Sequence, residues 1–405
     1  MSSLARPLPG RWKTRGGRAG SVKSASARGG SSARAYLDGW EPGALILIVG
    51  LAFCFGLVEL YSASALMARE EGQPSYFYAL RQFIGLGPGL VIAAVLSRVD
   101  YMRLRSIAWP LLILLLACLV VMVLPGTEAF APRINGARRW IDVGIAFQPS
   151  ELAKLALIIW TAALAVKKQD KLHSLRRGLL PFLMVWLAIA VPVLLQPNFS
   201  AAVLLVLLSA LVLFAGGARI GHFILLGLIA LPVAWSQVAS ASYRMRRIVA
   251  FLDPAADPDG ISYQIHQSLI AVGSGGLTGV GFGDSRQKFG FLPEPHNDFL
   301  FAMIAEEWGF LGVLFTVVLF MAFAVIGYRI AKSAGDLFGY LLGVGMTNLI
   351  VVSAILHMGV GLALLPTTGV TLPFMSYGRS GLLVAFAAVG VLLSIARSSL
   401  RPARS

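Results

Sequence analysis

The sequence predicts an all-α polytopic membrane protein of about ten transmembrane helices, and three observations predict it. Hydrophobic residues make up 57% of the 405-residue chain and charged residues 13%, with a mean hydropathy of +0.77, which leaves too little polar surface to cover a soluble globule. Apolar runs of the roughly 20 residues that a helix needs to cross a hydrocarbon core about 30 Å thick recur along the chain. Basic residues concentrate in alternate connecting segments, the pattern that the positive-inside rule reads as orientation.

The apolar runs fall at 43–64, 79–97, 107–124, 149–166, 179–196, 199–216, 220–239, 299–327, 338–360 and 380–396. Residues 1–41 precede them as a basic tail. Arg6, Arg11, Lys13, Arg15, Arg18, Lys23, Arg28 and Arg34 stand there among Gly, Ser and Ala, a composition that builds no core. With no apolar stretch and small-residue cleavage site ahead of it, the tail reads as a disordered cytoplasmic extension rather than a signal peptide, with anionic headgroups as its simplest partner. Counting from it, the inner loops hold Arg98, Arg103 and Arg105, then Lys167, Lys168, Lys171, Arg176 and Arg177, then Arg219, then Arg329 and Lys332. Both termini come out cytoplasmic. A transmembrane domain then spans 42–397, followed by a short cytoplasmic tail at 398–405. The net charge of +15, from 34 basic and 19 acidic residues, is spread as membrane topology demands and argues against a nucleic-acid partner. Cys54 and Cys118 lie in separate apolar runs, so neither a disulfide framework nor a thiolate metal site is expected.

Two outer segments break the charge rule. The first, Arg133-Ile134-Asn135-Gly136-Ala137-Arg138-Arg139-Trp140, joins the third and fourth spans. Its arginines either anchor the helix end beside an interfacial Trp or present guanidinium forks to phosphate. Gln148-Pro149-Ser150-Glu151 with Lys154 follows as a strong helix start. Glu151 and Lys154 share a helix face and are read as a charge pair that tolerates burial, or as a substrate contact. The second segment is the large extracytoplasmic loop at 240–298, before the eighth span, opening with Tyr243-Arg244-Met245-Arg246-Arg247. Loops of that length are usually functional. The glycines of Gly273–Gly283 lack a P-loop ending and fit a close approach of backbone to backbone or to a ligand. Ser285, Arg286, Gln287 and Lys288 follow.

That loop ends in Phe291-Leu292-Pro293-Glu294-Pro295-His296-Asn297-Asp298-Phe299, which sets Asp298 at the mouth of a long apolar helix. An acid there is either a helix N-cap or a functional group, because little else justifies desolvating a carboxylate. Glu306 and Glu307, about two turns deeper, are expected to face the bundle interior and to pair with a basic residue such as Lys154. The last outer segment, 365–380, has too many turn residues for a helix yet stays apolar. It reads as a re-entrant loop before the tenth span, tolerated only where protein buries it or it lines a wet cavity, and so as a wall of the site.

Taken together, Asn135-Gly136-Ala137-Arg138-Arg139-Trp140, Gln148-Pro149-Ser150-Glu151 with Ala153-Lys154, Phe291-Leu292-Pro293-Glu294 with His296 and Asp298-Phe299, and Leu372-Pro373-Phe374 with Ser376-Tyr377-Gly378 resemble the SEDS family, the polytopic proteins of shape, elongation, division and sporulation that polymerise bacterial cell-wall glycan. The resemblance spans roughly residues 43–397. Tyr243-Arg244 with Arg247, and Ser285 with Gln287-Lys288, look more like its division members than its elongation members. It implies a ten-helix fold and a peptidoglycan glycosyltransferase that consumes lipid II and undecaprenyl-diphosphate-linked glycan at the outer face of the bacterial cytoplasmic membrane, at the division septum. It also implies a class B penicillin-binding protein as transpeptidase partner, with other division proteins alongside. Asn198, His357 and Arg379 depart from the family's commoner Asp, Asn and Gly.

The resemblance assigns catalysis to Asp298. A diphosphate-linked lipid needs an apolar groove, cations at headgroup depth and a base near the sugar, so Asp298 is expected to take the acceptor hydroxyl's proton. Arg138, Arg139, Arg244 and Lys288 are the expected grips on the leaving diphosphate. Trp140, Lys154, Gln287, His296, Ser376 and Tyr377 complete the substrate-binding set, with Glu151, Glu306 and Glu307 as support. A divalent cation, magnesium or manganese, could share the charge, although no ligand cluster demands one. Two other readings remain: a lipid II flippase, against which no internal repeat is visible, and a scaffold that recruits a transpeptidase.

Overall fold

The structure, a computed structural model, describes residues 39–128, 131–133, 137–142, 146–240, 242–253 and 262–399. The basic tail to residue 38, Asn135 and Gly136 of the first outer segment, Pro254, and residues 400–405 lie outside it, as does the side chain of Tyr243. From Glu41 onward the chain clusters as one unit.

Helices form where the apolar runs are. They are α1 (Trp40–Glu70), α2 (Phe77–Arg98), α3 (Met102–Val121), α4 (Pro149–Lys167), α5 (Leu180–Leu195), α6 (Phe199–Ala215) and α7 (Ile220–Ala239). Among the described residues nine helices are long and apolar enough to cross a membrane, α5 counting with the turn before it, while α6 is a shorter apolar helix of about 25 Å. The segment at 240–298 is not the plain loop its composition suggests. It carries α8 (Ser242–Leu252) and α9 (Tyr263–Ser274), both too short to register as spans. Then come α10 (Leu300–Ser333), α11 (Leu337–Gly361) and α12 (Arg379–Ser399). A hairpin of β1 (Ile141–Asp142) and β2 (Ala146–Phe147), pairing Ile141 with Phe147 and Asp142 with Ala146, leads into α4. That helix starts as its sequence dictates, with Pro149 in its first turn and Glu151 at its positive end.

The closest helix pairings are α2 with α12, α10 with α11 and α3 with α4, and α4 also packs on α6 and α11. The most buried helices, α4, α11 and α12, therefore form the centre. By contrast, α7 stands almost free of the chain, with Val238 its one buried residue.

The helix α10 is broken, and the break corrects the expectation of one long helix opening at Asp298. Gly309 has φ +63° and ψ −156°, a left-handed setting that favours glycine. It separates a segment buried over Leu300–Glu307 from the stretch Phe310–Ser333, which at about 36 Å is long enough to cross a bilayer alone. Non-helical backbone at membrane depth needs partners, and the glycine-rich loop after α9 supplies them. The amides of Val280 and Gly281 donate to the carbonyls of Glu306 and Glu307 at 3.0 and 3.2 Å, and the amides of Phe310 and Leu311 donate to the carbonyls of Gly276 and Leu277 at 2.9 and 3.2 Å. A Cβ on Gly309 would lie 2.3 Å from the Gly279 nitrogen, so these glycines serve backbone-to-backbone packing.

The segment from Leu362 to Gly378 runs without helix or strand. Its buried tip, Leu372, Phe374 and Met375, reaches the middle of the helix bundle. A Cβ on Gly56, near the midpoint of α1, would fall 2.3 Å from the Met375 Cα, and the Phe374 ring meets Phe386 and Phe323 at centroid distances of 5.6 and 6.2 Å. The bundle thus buries the tip on several sides.

Replacing Gly309 by Ala forces both a clash with backbone and a left-handed Ala. The expected cost is about 2 kcal/mol or more, read as a drop in apparent melting temperature in detergent. Gly227→Ala, where a Cβ meets nothing within 4 Å, should leave that temperature unchanged. Equal behaviour of the two variants would contradict the glycine-dependent break.

Candidate functional site

A cavity of about 950 Å³ opens between the hairpin, α4, α6, α11, α12, the end of the loop at 294–298 and the segment 368–378. One part of its wall is polar, with Arg139, Glu151, Lys154, Arg247, Asp298 and Arg379; another is apolar, with Leu204, Leu349, Ile350, Leu382, Val384 and Ala385. Its lining combines four cations, Arg139, Lys154, Arg247 and Arg379, and the acids Glu151, Glu294 and Asp298 with an apolar part, a combination suited to an amphiphile with an anionic head.

Asp298 sits just ahead of α10, its amide bonded to the Glu294 carbonyl at 3.2 Å. The N-cap position falls to Phe299, and among the described residues the Asp298 carboxylate makes no hydrogen bond or ion pair. Its pKa is pushed up to about 6, first by burial and then by the Glu294 carboxylate, while the Arg247 and Arg139 guanidinium groups pull it down. Gly369, with φ +69°, faces it: a Cβ there would stand 3.9 and 4.0 Å from the two carboxylate oxygens. The acid is confined but open to the cavity.

The structure brings Arg139, Trp140, Glu151, Lys154, Ser376 and Tyr377 to the same cavity as Asp298. Arg139 donates one Nη2–H to the Pro197 carbonyl, and its buried Nε has no partner. Lys154 pairs with Glu151 at 2.7 Å, with 6% and 19% of the side chains exposed. The Ser376 Oγ accepts from the Leu372 amide at 3.1 Å, and the Tyr377 amide donates to the His296 carbonyl at 3.1 Å, tying the segments before α10 and before α12 together.

Other expected residues lie off the cavity lining. Arg138 is turned to Glu128 and to the Leu124 carbonyl, the latter at 3.1 Å. Arg244 donates to the Gln237 carbonyl at 2.9 Å and lies 5.7 Å from the Phe199 ring centroid. Gln287 is buried, its Oε1 without a partner. His296 is also buried, its ring 4.6 Å from Tyr78 and 5.9 Å from Tyr377, and burial pushes its pKa down against the opposing pull of Glu294 and Glu71.

Glu306 and Glu307 do not pair with Lys154, which Glu151 holds. Glu306 accepts from Ser285 Oγ at 2.5 Å and from the Arg286 amide at 3.0 Å. Glu307 accepts from Ser62 Oγ at 2.6 Å and the Gly283 amide at 3.0 Å, with Lys288 Nζ 3.7 Å away. Lys288 also donates to the Gly283 carbonyl. The break at Gly309 turns both glutamates into the glycine-rich loop, where they fasten the chain that leads to Asp298.

Arg247 and Arg379 are cavity cations that reading the sequence did not place in the site. Arg247 donates to the Thr367 carbonyl at 2.9 Å. Their signals were a basic residue one helical turn beyond Arg244, and an Arg where the family usually has Gly.

Over residues 43–401 the chain matches the protein family of FtsW, RodA and SpoVE, described as cell cycle protein. It is 41% identical to stage V sporulation protein E of Bacillus subtilis, covering 88% of this chain and 96% of that protein. It is 40% identical to the probable peptidoglycan glycosyltransferase FtsW of Trichlorobacter lovleyi, covering 87% and 92%. Among solved structures it resembles a chain of a peptidoglycan synthase complex that coordinates polymerisation and crosslinking, with a TM-score of 0.72 and 30% identity over 88% of this chain and 98% of that one. The rod shape determining protein RodA of Thermus thermophilus superposes with a TM-score of 0.64 at 27% identity, over 88% and 97%.

The electrostatics around Asp298 give a signed expectation. Carbodiimide labelling of Asp298, followed by mass spectrometry against pH, should titrate near pH 6. Glu294→Gln should move that midpoint down and Arg247→Gln up. Movement of either in the other direction would contradict the proximity of these groups.

Proposed function

The chain belongs to the FtsW/RodA/SpoVE family of cell cycle proteins and is a multi-pass membrane peptidoglycan glycosyltransferase, and from that premise we propose that Asp298 is the general base of glycan polymerisation from lipid II. The supporting observation is a carboxylate with no hydrogen-bond or ion-pair partner among the described residues, lining a cavity that also carries Arg139, Lys154, Arg247 and Arg379 and an apolar part. In this reading the apolar part takes the polyprenyl chain and the cations take the diphosphate.

In this mechanism Asp298 accepts the proton of the acceptor sugar's hydroxyl as its oxygen bonds to the donor's anomeric carbon. The bond from that carbon to the diphosphate oxygen breaks, and its electron pair leaves on undecaprenyl diphosphate. Arg139, Arg247 and Arg379 meet the developing charge, and one base with a good leaving group favours direct displacement with inversion. A carboxylate with a pKa near 6 is still ionised at neutral pH while remaining a usable base. Magnesium or manganese, where used, would be held by the substrate's diphosphate, water and a cavity carboxylate, and would share the charge that develops on the leaving group.

The likeness to a chain of a polymerising and crosslinking synthase complex supports a class B penicillin-binding protein as transpeptidase partner. The relatives named FtsW support action at the division septum, on the outer face of the bacterial cytoplasmic membrane. The tail's eight basic residues before residue 35 support contact with anionic lipid on the inner face.

Asp298→Asn should lower polymerisation of lipid II by the purified protein at least about 10²-fold while lipid II retention persists. The wild-type rate should fall with pH below about 6 and level off above it. Retained polymerisation by the Asn variant would remove the base assignment. Loss of transbilayer lipid II movement in liposomes, with polymerisation intact, would favour a flippase.

A further inference from the structure

The wall that faces Asp298 at Gly369 is held by two side chains from different helices. Within the segment 367–370, Arg247 Nη1 of α8 donates to the Thr367 carbonyl at 2.9 Å, and His357 Nδ1 of α11 stands 2.8 Å from the Val370 carbonyl. Gly369 lies between these two carbonyls, against the carboxylate. A carbonyl only accepts, so Nδ1 of His357 carries the proton. Its Nε2 is then a lone pair, buried and without a partner, in a side chain only 1% exposed. Burying an unpaired ring nitrogen is unfavourable, and an aliphatic side chain in that place would avoid it. What the histidine adds is the bond to Val370.

We propose that His357 is a positioning residue for the glycosyl transfer: by holding the Val370 carbonyl it fixes the non-helical wall at Gly369 against Asp298, and so sets where the base stands relative to the acceptor hydroxyl. This rests on Asp298 being the base. His357 itself is not among the residues lining the cavity and touches no substrate. Its effect belongs in kcat, because the wall's displacement misaligns a reacting pair without removing a binding contact.

Two variants separate this role from packing. His357→Leu removes the donor, while His357→Asn keeps an N–H at the same distance along the side chain. With the Leu variant, kcat for lipid II polymerisation should fall about 10²-fold while KM stays within roughly a factor of three. Backbone amides of 367–371 should exchange hydrogen faster, and the Asn variant should restore both kcat and slow exchange. Wild-type exchange and kcat in the Leu variant, or Asn and Leu variants equally impaired, would overturn the proposal. Asp298→Asn is assayed beside them: if it still polymerises, the base assignment fails, and hydrogen exchange alone then decides whether His357 holds the wall.

Discussion

Inside a bilayer every backbone polar group must find a partner within the protein, and this constraint shapes the whole arrangement around Asp298. The chain departs from helix at Gly309 and along Leu362–Gly378, both packed against the rest of the protein, and each departure is met by a dedicated partner. The glycine-rich loop exchanges four backbone hydrogen bonds with the break. Gln82 of α2 serves the second departure, donating to the Ser376 carbonyl at 3.0 Å and accepting from the Gly378 amide at 3.4 Å. The broken helix lets a short buried segment carry Asp298 into the bundle, while the full span begins afresh at Phe310.

Two kinds of charge follow from that geometry. The buried carboxylates Glu306 and Glu307 are saturated by Ser285, Ser62, backbone amides and Lys288, and they act as fasteners. Asp298 is left without such partners, and burial raises its pKa. Buried ionisable groups are tolerated when paired; the acid left unpaired at a cavity is the one to which chemistry is assigned.

Much of the fold was legible because length and hydropathy carry it: the apolar runs became helices close to their expected limits. The break at Gly309 was not, because Trp308-Gly309-Phe310 is apolar on both sides and hydropathy does not register a backbone angle. The helices α8 and α9 escaped for a related reason, being too short and too polar to stand out as spans. Within the site, Asp298, Arg139 and Lys154 were readable as charges out of place. Which neighbour faces the cavity was not: in the chain before β1, Ala137, Arg139 and Trp140 line it while Arg138 turns to Glu128, and nothing in the residue types separates the two adjacent arginines. Arg247 rather than Arg244 reaches the cavity because α8 turns the former toward Thr367 and the latter back to Gln237.

The most direct measurement is lipid II polymerisation by the purified Asp298→Ala protein with and without added formate, a small carboxylate that fits the space left by the side chain. The expected result is negligible turnover alone and a partial, saturating recovery with formate that chloride does not reproduce. Wild-type turnover by the Ala protein without formate would contradict a base at this position.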